Sequence, residues 1–345
     1  IANRGGRAGR QASPATRHSP LAIRPLSHDE PYVVASAQLA SSPVHRGHRA
    51  VIGAALTRAR ALGRKAAALT FTPHPRLFLR PQDTLFELSD EHNKLRLLRA
   101  TGLDGAVVMR FDVALAATSA EDFVVKILAG ALGIGGAAIG FDFHFGKNRM
   151  GSPSFLAEQG ARLGFAVDVV PPLEDEGRPV SSGSVRSALA AGRVVEAAEL
   201  LGAPWFVSGE VIHGDKRGRE LGFPTANLKP HNRVIPKFGV YATATLIDAT
   251  WRRSITNIGV RPTFESTTQP SIETYIFDFD GDLYGDALRV RFLHRMAPYT
   301  LGGLELFRLR IALAMASVAM PARASTLRRA AQALDREFDS QILPD

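Results

Sequence analysis

Short apolar runs alternate with amphipathic segments from Tyr32 to about Leu189. Four runs rich in Ala, Val and Ile are predicted strands: residues 66–71, 105–109, 136–140 and 165–170. The spacing between them predicts helices that begin near His48, near Glu91, at Glu121 after a Thr118-x-x-Glu121 capping box, and near Pro153. This alternation is typical of an α/β domain with a parallel sheet and crossover helices.

The pattern changes in the C-terminal half, where apolar residues recur at every second position. Residues 272–279 show this spacing, with turn sequences at Asp280-Gly281 and Tyr284-Gly285. We expect a compact antiparallel barrel that follows a helical connection at residues 194–201. The predicted division is a tail (1–30), an α/β domain (31–190), a helical linker (191–204), a barrel (205–300) and C-terminal helices (301–345).

Composition supports a two-domain protein and excludes several kinds of site. The chain has 345 residues, of which 45% are hydrophobic, so it can bury a substantial core. It contains no cysteine, which rules out disulfides, thiolate metal sites and cysteine nucleophiles and suits a reducing cytoplasm. No apolar run approaches the roughly 18 residues that a membrane helix needs. We therefore expect a cytoplasmic protein with no membrane partner.

The net charge of +9 is concentrated in part at the N-terminus. Residues 1–25 carry five arginines and no acidic residue, which predicts a disordered basic tail. The remaining excess is explained by sites for anionic nucleotides. A nucleic-acid-binding protein is the least favoured alternative, because no C2H2, KH or RRM signature is present.

A glycine-rich basic segment indicates a phosphate site in the C-terminal half. Glycines allow backbone N–H groups to approach phosphate oxygens, and cationic side chains supply counter-charge. The residues with these properties are Gly214, Lys216, Gly218 and Gly222. Thr225 and Asn227 follow with short oxygen-bearing side chains that suit Mg²⁺. The alternative is an ordinary basic hairpin loop.

A second candidate site lies at the start of the first predicted helix. His45-Arg46-Gly47-His48 places two imidazoles beside a helix N-terminus, where they can contact a phosphate, and the intervening glycine lets the backbone come close. Ser181, Ser182 and Arg186 occupy the start of a later helix, where hydroxyls and a guanidinium group can hold a triphosphate. The alternatives are surface histidines for the first motif and an ordinary N-cap for the second.

The C-terminal motifs resemble those of a known enzyme family. Pro-Thr-Ala-Asn at 224–227 is followed by Gly-Val-Tyr at 239–241, by Thr-Asn-Ile-Gly-Val-Arg-Pro-Thr-Phe at 256–264 and by Ile-Glu-Thr-Tyr at 272–275. Together they resemble the riboflavin kinase module of the bacterial bifunctional riboflavin kinase/FAD synthetases. The resemblance implies that Thr225 and Asn227 bind Mg·ATP and that Glu273 takes the proton from the ribityl 5′-hydroxyl of riboflavin.

The N-terminal motifs resemble the adenylyltransferase module of the same family. Beside the H-x-G-H motif stand Thr-Phe-Thr-Pro-His-Pro at 70–75 and Gly-Phe-Asp-Phe-His-Phe-Gly at 140–146. The resemblance implies a Rossmann-like nucleotidyltransferase domain followed by a riboflavin kinase barrel and terminal helices. It also implies that His45 and His48 stabilise charge on the ATP α-phosphate, and that flavin contacts Asp142, Phe143 and Phe145. The implied substrates and products are ATP, riboflavin, FMN and FAD.

Two segments depart from the family pattern. Residues 39–43 read Leu-Ala-Ser-Ser-Pro where the family has Gly-x-Phe-Asp-Gly, so backbone donors for the α-phosphate are lost. Ala297, Tyr299 and Leu301 replace groups that close over flavin in the family. Two alternatives to the bifunctional enzyme remain open: a riboflavin kinase alone, and a degenerate paralogue that binds flavin or nucleotide. We expect FMN formation to exceed FAD formation.

Overall fold

The computed structural model describes residues 31–36, 44–82, 87–175, 177–213, 225–230, 234–260 and 270–298. The first part of this set contains a five-stranded parallel sheet. Its strands are β1 (Val33–Ser36), β2 (Ala66–Thr72), β3 (Gly105–Arg110), β4 (Gly136–Gly140) and β5 (Ala166–Val170). The predicted α/β domain with a parallel sheet is confirmed.

The strand order β3-β2-β1-β4-β5 places a topological switch point between β1 and β4. Ligands of open α/β sheets bind outside the carboxyl ends of the strands at such a point. The four predicted strands are all present, but the central strand β1 was not predicted. All four of its residues are buried, so it shows no alternation of polar and apolar positions.

Helices cover the sheet and begin close to the predicted positions. α1 packs Val51, Ile52, Ala55 and Ala59 against small buried residues of β1, β2 and β4. None of the helices in the described part of the chain is both long and apolar enough to cross a membrane. The helices of this part are α1 (Arg46–Ala61), α2 (Pro75–Leu79), α3 (Glu91–Arg99), α4 (Val113–Ala117), α5 (Ala120–Asp122, continued by a π-helix at Phe123–Ala131) and α6 (Pro153–Leu163).

The predicted capping box before Glu121 is wrong by one residue. The side chain of Ser119, not that of Thr118, accepts the hydrogen bond from the Asp122 backbone N–H, at 3.0 Å. The Thr118 hydroxyl instead donates to the Ala114 carbonyl at 2.9 Å, in the last turn of α4. Thr118 is thus engaged with the preceding helix, and the neighbouring serine serves as the N-cap.

The C-terminal half forms a closed barrel in which every pair of neighbouring strands is antiparallel, as predicted. The helical connection is also confirmed at α8 (Val194–Leu201), and it follows α7 (Ser182–Ala190) and a short hairpin of β6 (Glu174–Asp175) and β7 (Arg178–Pro179). The barrel strands are β8 (Phe206–Ile212), β9 (Thr225–Pro230), β10 (Gly239–Ile247), β11 (Thr250–Val260), β12 (Pro270–Ile276) and β13 (Ala287–Pro298).

One of the two predicted turns is displaced. β12 ends at Ile276, and the chain turns at Phe277 and Asp278, where Asp278 has a φ of 53°. The turn expected at Asp280-Gly281 is therefore wrong, because aspartate adopts the left-handed conformation earlier. The turn at Tyr284-Gly285 is confirmed, with Gly285 at a φ of 81°.

The barrel interior is partly apolar and partly filled by hydroxyl groups. The Thr243 hydroxyl lies 2.8 Å from the Ser254 hydroxyl and 2.9 Å from that of Thr256. The Thr256 hydroxyl also lies 2.9 Å from the Thr274 hydroxyl, and the Thr245 hydroxyl donates to the Ser254 hydroxyl at 2.9 Å. All five side chains are buried, so the hydroxyl groups form hydrogen bonds with one another instead of with water.

The two halves of the chain are joined by packing and by hydrogen bonds. α7 and α8 place Val185, Leu189 and Leu201 in the same core as the interior of the barrel. The indole N–H of Trp205, just before β8, donates to the Leu88 carbonyl at 3.2 Å. α3 begins just beyond Leu88 and packs against β8, the strand that follows Trp205. This contact between α3 and β8 is called the joint below.

Candidate functional site

The H-x-G-H motif lies at the switch point of the parallel sheet. His45 is the N-cap of α1, and its Nδ1 accepts a hydrogen bond from the His48 backbone N–H at 3.3 Å. The two imidazole rings are stacked, with centroids 3.6 Å apart and planes inclined by 21°. Both side chains are buried, so the first turn of α1 presents a rigid imidazole pair to the carboxyl edge of the sheet.

Burial determines the charge and the tautomer of His45. Desolvation lowers its pKa from the ordinary 6.5 to about 4, so the ring is neutral at pH 7. Because Nδ1 accepts a hydrogen bond, the ring proton is assigned to Nε2. A neutral imidazole with a proton on Nε2 can donate a hydrogen bond to a phosphate oxygen without introducing a buried charge of its own.

Gly47 is held in close contact on both sides. A Cβ atom at this position would lie 3.1 Å from Cε1 and 3.2 Å from Nδ1 of His45, and 3.2 Å from the carbonyl oxygen of Val180. Val180 immediately precedes the serine cluster of α7. The fold thus brings the H-x-G-H motif and the serine segment together, although Val180 lies 132 positions after His48 in the sequence.

The serine cluster does form an N-cap, as the alternative interpretation held. The Ser181 hydroxyl accepts the hydrogen bond from the Ser184 backbone N–H at 3.1 Å, and the Ser184 hydroxyl donates to the Pro179 carbonyl at 2.7 Å. Ser182 is the first residue of α7. A capped helix N-terminus also attracts anions, so the two interpretations are compatible here.

Several basic groups gather beside α7. Burial and the charge of Arg76 lower the pKa of Arg186. Burial, together with the charges of Arg186, Lys94 and Arg76, lowers the pKa of His74 to about 4. The sequence motif at residues 70–75 includes His74, but no sequence pattern identified Arg76 or Lys94. Their signal was weak, because they belong to separate helices that only the fold brings together.

The segment after β4 presents polar and apolar groups to different surroundings. Phe143 and Phe145 are buried, with ring centroids 5.4 Å apart, and Phe145 also packs against Phe123 at 5.3 Å. Asp142 is exposed, and Phe141 is 51% exposed. Asp142 and Phe141 therefore form the accessible surface at this edge, while the flavin contacts expected of Phe143 and Phe145 stay a prediction.

The predicted kinase residues share the outer face of the barrel. Glu273 on β12 is directly opposite Asn227 on β9 and, on its other side, opposite Asn257 on β11. Thr225 is opposite Tyr275. Ile272 and Thr274 are buried inside the barrel, so the alternation of β12 directs Glu273 outwards. Gly214, Lys216, Gly218 and Gly222 lie outside the described residues.

Asn257 was not identified from the sequence as a site residue. Its signal was the Thr-Asn-Ile-Gly motif, but its position beside Glu273 depends on strand register. A carboxylate between two amides gives an oxygen-rich row to which the Thr225 hydroxyl adds. Such donors suit Mg²⁺. In the described ranges, no group of three or more His, Cys, Asp or Glu side chains is placed to hold a metal ion.

Comparison with known proteins matches both halves of the chain. The family model for FAD synthetase matches residues 43–184, and the family model for riboflavin kinase matches residues 201–300. A Pseudomonas fluorescens protein named "Bifunctional riboflavin kinase/FMN adenylyltransferase" is 38% identical over 253 residues, which cover 73% of this chain and 81% of that protein. The chain belongs to the bifunctional riboflavin kinase/FMN adenylyltransferase family.

A second member of the bifunctional family and one solved structure also match most of the chain. The protein of that name from Bacillus subtilis is 36% identical over a region that covers 73% of this chain and 81% of that protein. A crystal structure described as a macrolide-efflux protein from Streptococcus pneumoniae matches with a TM-score of 0.76 at 28% identity. The match covers 84% of this chain and 94% of the Streptococcus pneumoniae chain, so it extends over both the sheet and the barrel.

Proposed function

We propose that this chain transfers the γ-phosphoryl group of ATP to riboflavin, forming FMN, and an adenylyl group from a second ATP to FMN, forming FAD and pyrophosphate. The observation that carries the proposal is the pairing of Glu273 with Asn227 on the outer face of the barrel. It brings a carboxylate beside the residues that the family pattern assigns to Mg·ATP. Family membership supports the presence of both activities in one chain.

In the kinase step, Glu273 is the general base that accepts the proton of the ribityl 5′-hydroxyl. A base acts within hydrogen-bond reach of the proton that it takes, and the outward direction of Glu273 leaves it accessible to a bound substrate. Thr225 and Asn227 hold Mg·ATP, and Gly214, Lys216, Gly218 and Gly222 contact its phosphates. When bound, Mg²⁺ neutralises charge on those phosphates.

In the adenylyl step, the imidazoles of His45 and His48 stabilise charge on the α-phosphate as the phosphate of FMN attacks it. Donors that are already oriented cost no reorganisation during the reaction, and the stacked pair at the start of α1 is oriented in this way. Gly47 permits the close approach of this turn. Ser181, Ser182 and Arg186 bind the phosphates that leave, and Asp142 with Phe143 and Phe145 forms the flavin side.

The test is to mix the purified chain with riboflavin and Mg·ATP and to resolve FMN from FAD. We expect Glu273→Gln to slow FMN formation by about 10²-fold or more, the usual range for loss of a general base. Conversion of added FMN to FAD should stay unchanged in this variant. Glu210→Gln is the matched control, because Glu210 is an exposed carboxylate on β8 outside the row. Undiminished FMN formation by Glu273→Gln would contradict the assignment.

A riboflavin kinase without adenylyl transfer is the second candidate. The observation that favours it is the Leu-Ala-Ser-Ser-Pro sequence at residues 39–43, a segment outside the described residues. The same incubation separates the two candidates, since a kinase alone stops at FMN. The cytoplasmic location, the small-molecule partners and the domain boundaries at residues 31–190 and 205–300 are also part of the proposal.

A further inference from the structure

Three arginines converge at the joint between α3 and the barrel. Arg96 on α3 places its Cζ 5.6 Å from the ring centroid of Phe206, and Arg289 on β13 places its Cζ 5.3 Å from the same centroid. Arg291, also on β13, is directly opposite Phe206 in the pairing of β13 with β8. Two guanidinium groups, one from each half of the chain, therefore lie over one aromatic ring.

A second aromatic ring extends this cluster across the barrel surface. The Cζ of Arg291 lies 3.7 Å from the ring centroid of Trp251 on β11. Trp251 and Arg289 are both paired with Leu246 of the intervening strand β10. The residues Arg96, Phe206, Trp251, Arg289 and Arg291 are called the arginine cluster below.

The arginine cluster has no ion-pair partner among its described neighbours. Burial and the charge of Arg291 lower the pKa of Arg96, with Asp90 acting in the opposite direction, and burial lowers the pKa of Arg291. Among the residues that the structure describes, no carboxylate forms an ion pair with any of the three arginines. The Nε of Arg289 is buried and has no hydrogen-bond acceptor there.

Asp90, the carboxylate that acts on Arg96, already accepts three hydrogen bonds. The oxygens of Asp90 accept hydrogen bonds from the Asn93 backbone N–H at 2.7 Å, from the Asn93 side chain at 2.8 Å and from the Ser208 hydroxyl at 3.2 Å. Partly buried charges are unfavourable unless they are paired, and like charges held together add to that cost. An anion bound between the guanidinium groups would offset both effects.

We propose that the arginine cluster binds a diphosphate group at the joint between the two halves of the chain. Guanidinium groups match phosphate oxygens in geometry and charge, and stacking on aromatic rings orients them before the anion arrives. Two guanidinium groups lie over Phe206 and the third lies over Trp251, and two linked phosphates offer three guanidinium groups more acceptor oxygens than one phosphate does. The diphosphate is either free pyrophosphate or part of a nucleotide such as ADP.

This site is separate from both candidate active sites. The row of Asn257, Glu273 and Asn227 lies on β11, β12 and β9, whereas the three arginines lie on α3 and β13. The adenylyl site lies at the start of α1 and α7. Occupancy of the arginine cluster would act on the joint itself, because Arg96 belongs to α3 and both other arginines belong to the barrel.

Tryptophan fluorescence gives a local measurement of binding. The chain has two tryptophans, Trp251 in the arginine cluster and the buried Trp205 next to Phe206 at the joint, so both indoles report on binding. The full chain is titrated with pyrophosphate without Mg²⁺ at constant ionic strength, with sulfate as the comparison anion. We expect a saturable change with pyrophosphate that is smaller in Trp251→Phe.

Arginine variants test which groups hold the anion. Arg96→Gln and Arg291→Gln should each raise the dissociation constant by about 10-fold or more, as expected when a charged hydrogen bond is lost. Arg253→Gln is the matched control. It removes the same charge from the exposed surface of β11, where Arg253 lies near Asp278, and it should bind pyrophosphate like the unmodified chain.

The outcomes distinguish free pyrophosphate from a nucleotide as the ligand, and anion binding from a purely structural role of the arginines. Saturation by pyrophosphate and ADP but not by AMP supports a diphosphate recognised within a nucleotide, and saturation by pyrophosphate alone supports the free anion. The proposal is wrong if pyrophosphate causes no saturable change, if sulfate acts equally, or if the response of Trp251→Phe is undiminished. It is also wrong if the arginine variants melt at lower temperature with unchanged affinity, since the arginines would then serve only to hold the joint.

Discussion

Replacement of Gly47 by alanine tests the geometry of the imidazole pair. The added Cβ would lie 3.1 Å from Cε1 of His45 and 3.2 Å from the Val180 carbonyl oxygen, whereas carbon contacts are normally about 3.5–4.0 Å. The Val180 backbone is held by its hydrogen bond to the Leu173 carbonyl at 2.9 Å and by its position before α7. We therefore expect the His45 ring to move.

The size of that movement gives the expected effect on rate. Relief of the contacts requires a shift of about half an ångström, and a misplacement of about 1 Å can cost 10²-fold in rate. We expect Gly47→Ala to slow the conversion of FMN to FAD by about 10-fold for the same reason. Phosphorylation of riboflavin should be unaffected, because the kinase row lies on the barrel.

The assay follows both products in one incubation, and α1 itself offers a control. Gly53 lies in the same helix, and a Cβ there would meet no atom within 4 Å. Gly53→Ala should keep both activities and raise helix stability by about 0.5–1 kcal/mol. If Gly47→Ala makes FAD from FMN as fast as the unmodified chain, the contact with His45 does not determine the adenylyl step.

Three further predictions concern stability and the balance of activities. Thr256→Val removes the hydroxyl that links two other buried threonines and should lower the free energy of unfolding by about 1–3 kcal/mol in thermal denaturation; a similar loss in the exposed control Thr250→Val would contradict this. In the ligand-free chain, burial lowers the pKa of His45 to about 4, so the unfolded chain binds a proton first as the pH falls. The contribution of His45 to stability should be fully present above pH 6.5 and be lost as the pH falls toward about 4. His45→Asn should therefore lose less stability over this range than His144→Asn, and equal melting profiles of the two variants would refute the assignment. Introduction of Gly-Asn-Phe-Asp-Gly at residues 39–43 should raise FAD formation by about 10²-fold or more while FMN formation stays constant, since each lost donor typically costs that much; unchanged FAD formation would remove this loop from the explanation.

Local patterns in the sequence were sufficient for most elements and for the family. Apolar runs, turn residues and helix starts predicted four of the five sheet strands, the helix at Val194–Leu201 and the antiparallel barrel. These features depend on residues close together in the chain, so periodicity reveals them. The motifs around His45 and Glu273 likewise carried the resemblance that family comparison then confirmed.

Contacts between distant residues were decided only by the tertiary structure. Strand register sets Glu273 between Asn227 and Asn257, and a slip of one residue would direct it into the barrel instead. The close contact of Gly47 with Val180 depends on how α7 meets α1. The buried strand β1 shows no alternation, and the arginine cluster joins α3 to β13. Sequence periodicity contains no information on which distant surfaces meet, because that follows from closing the barrel and packing it against the sheet domain.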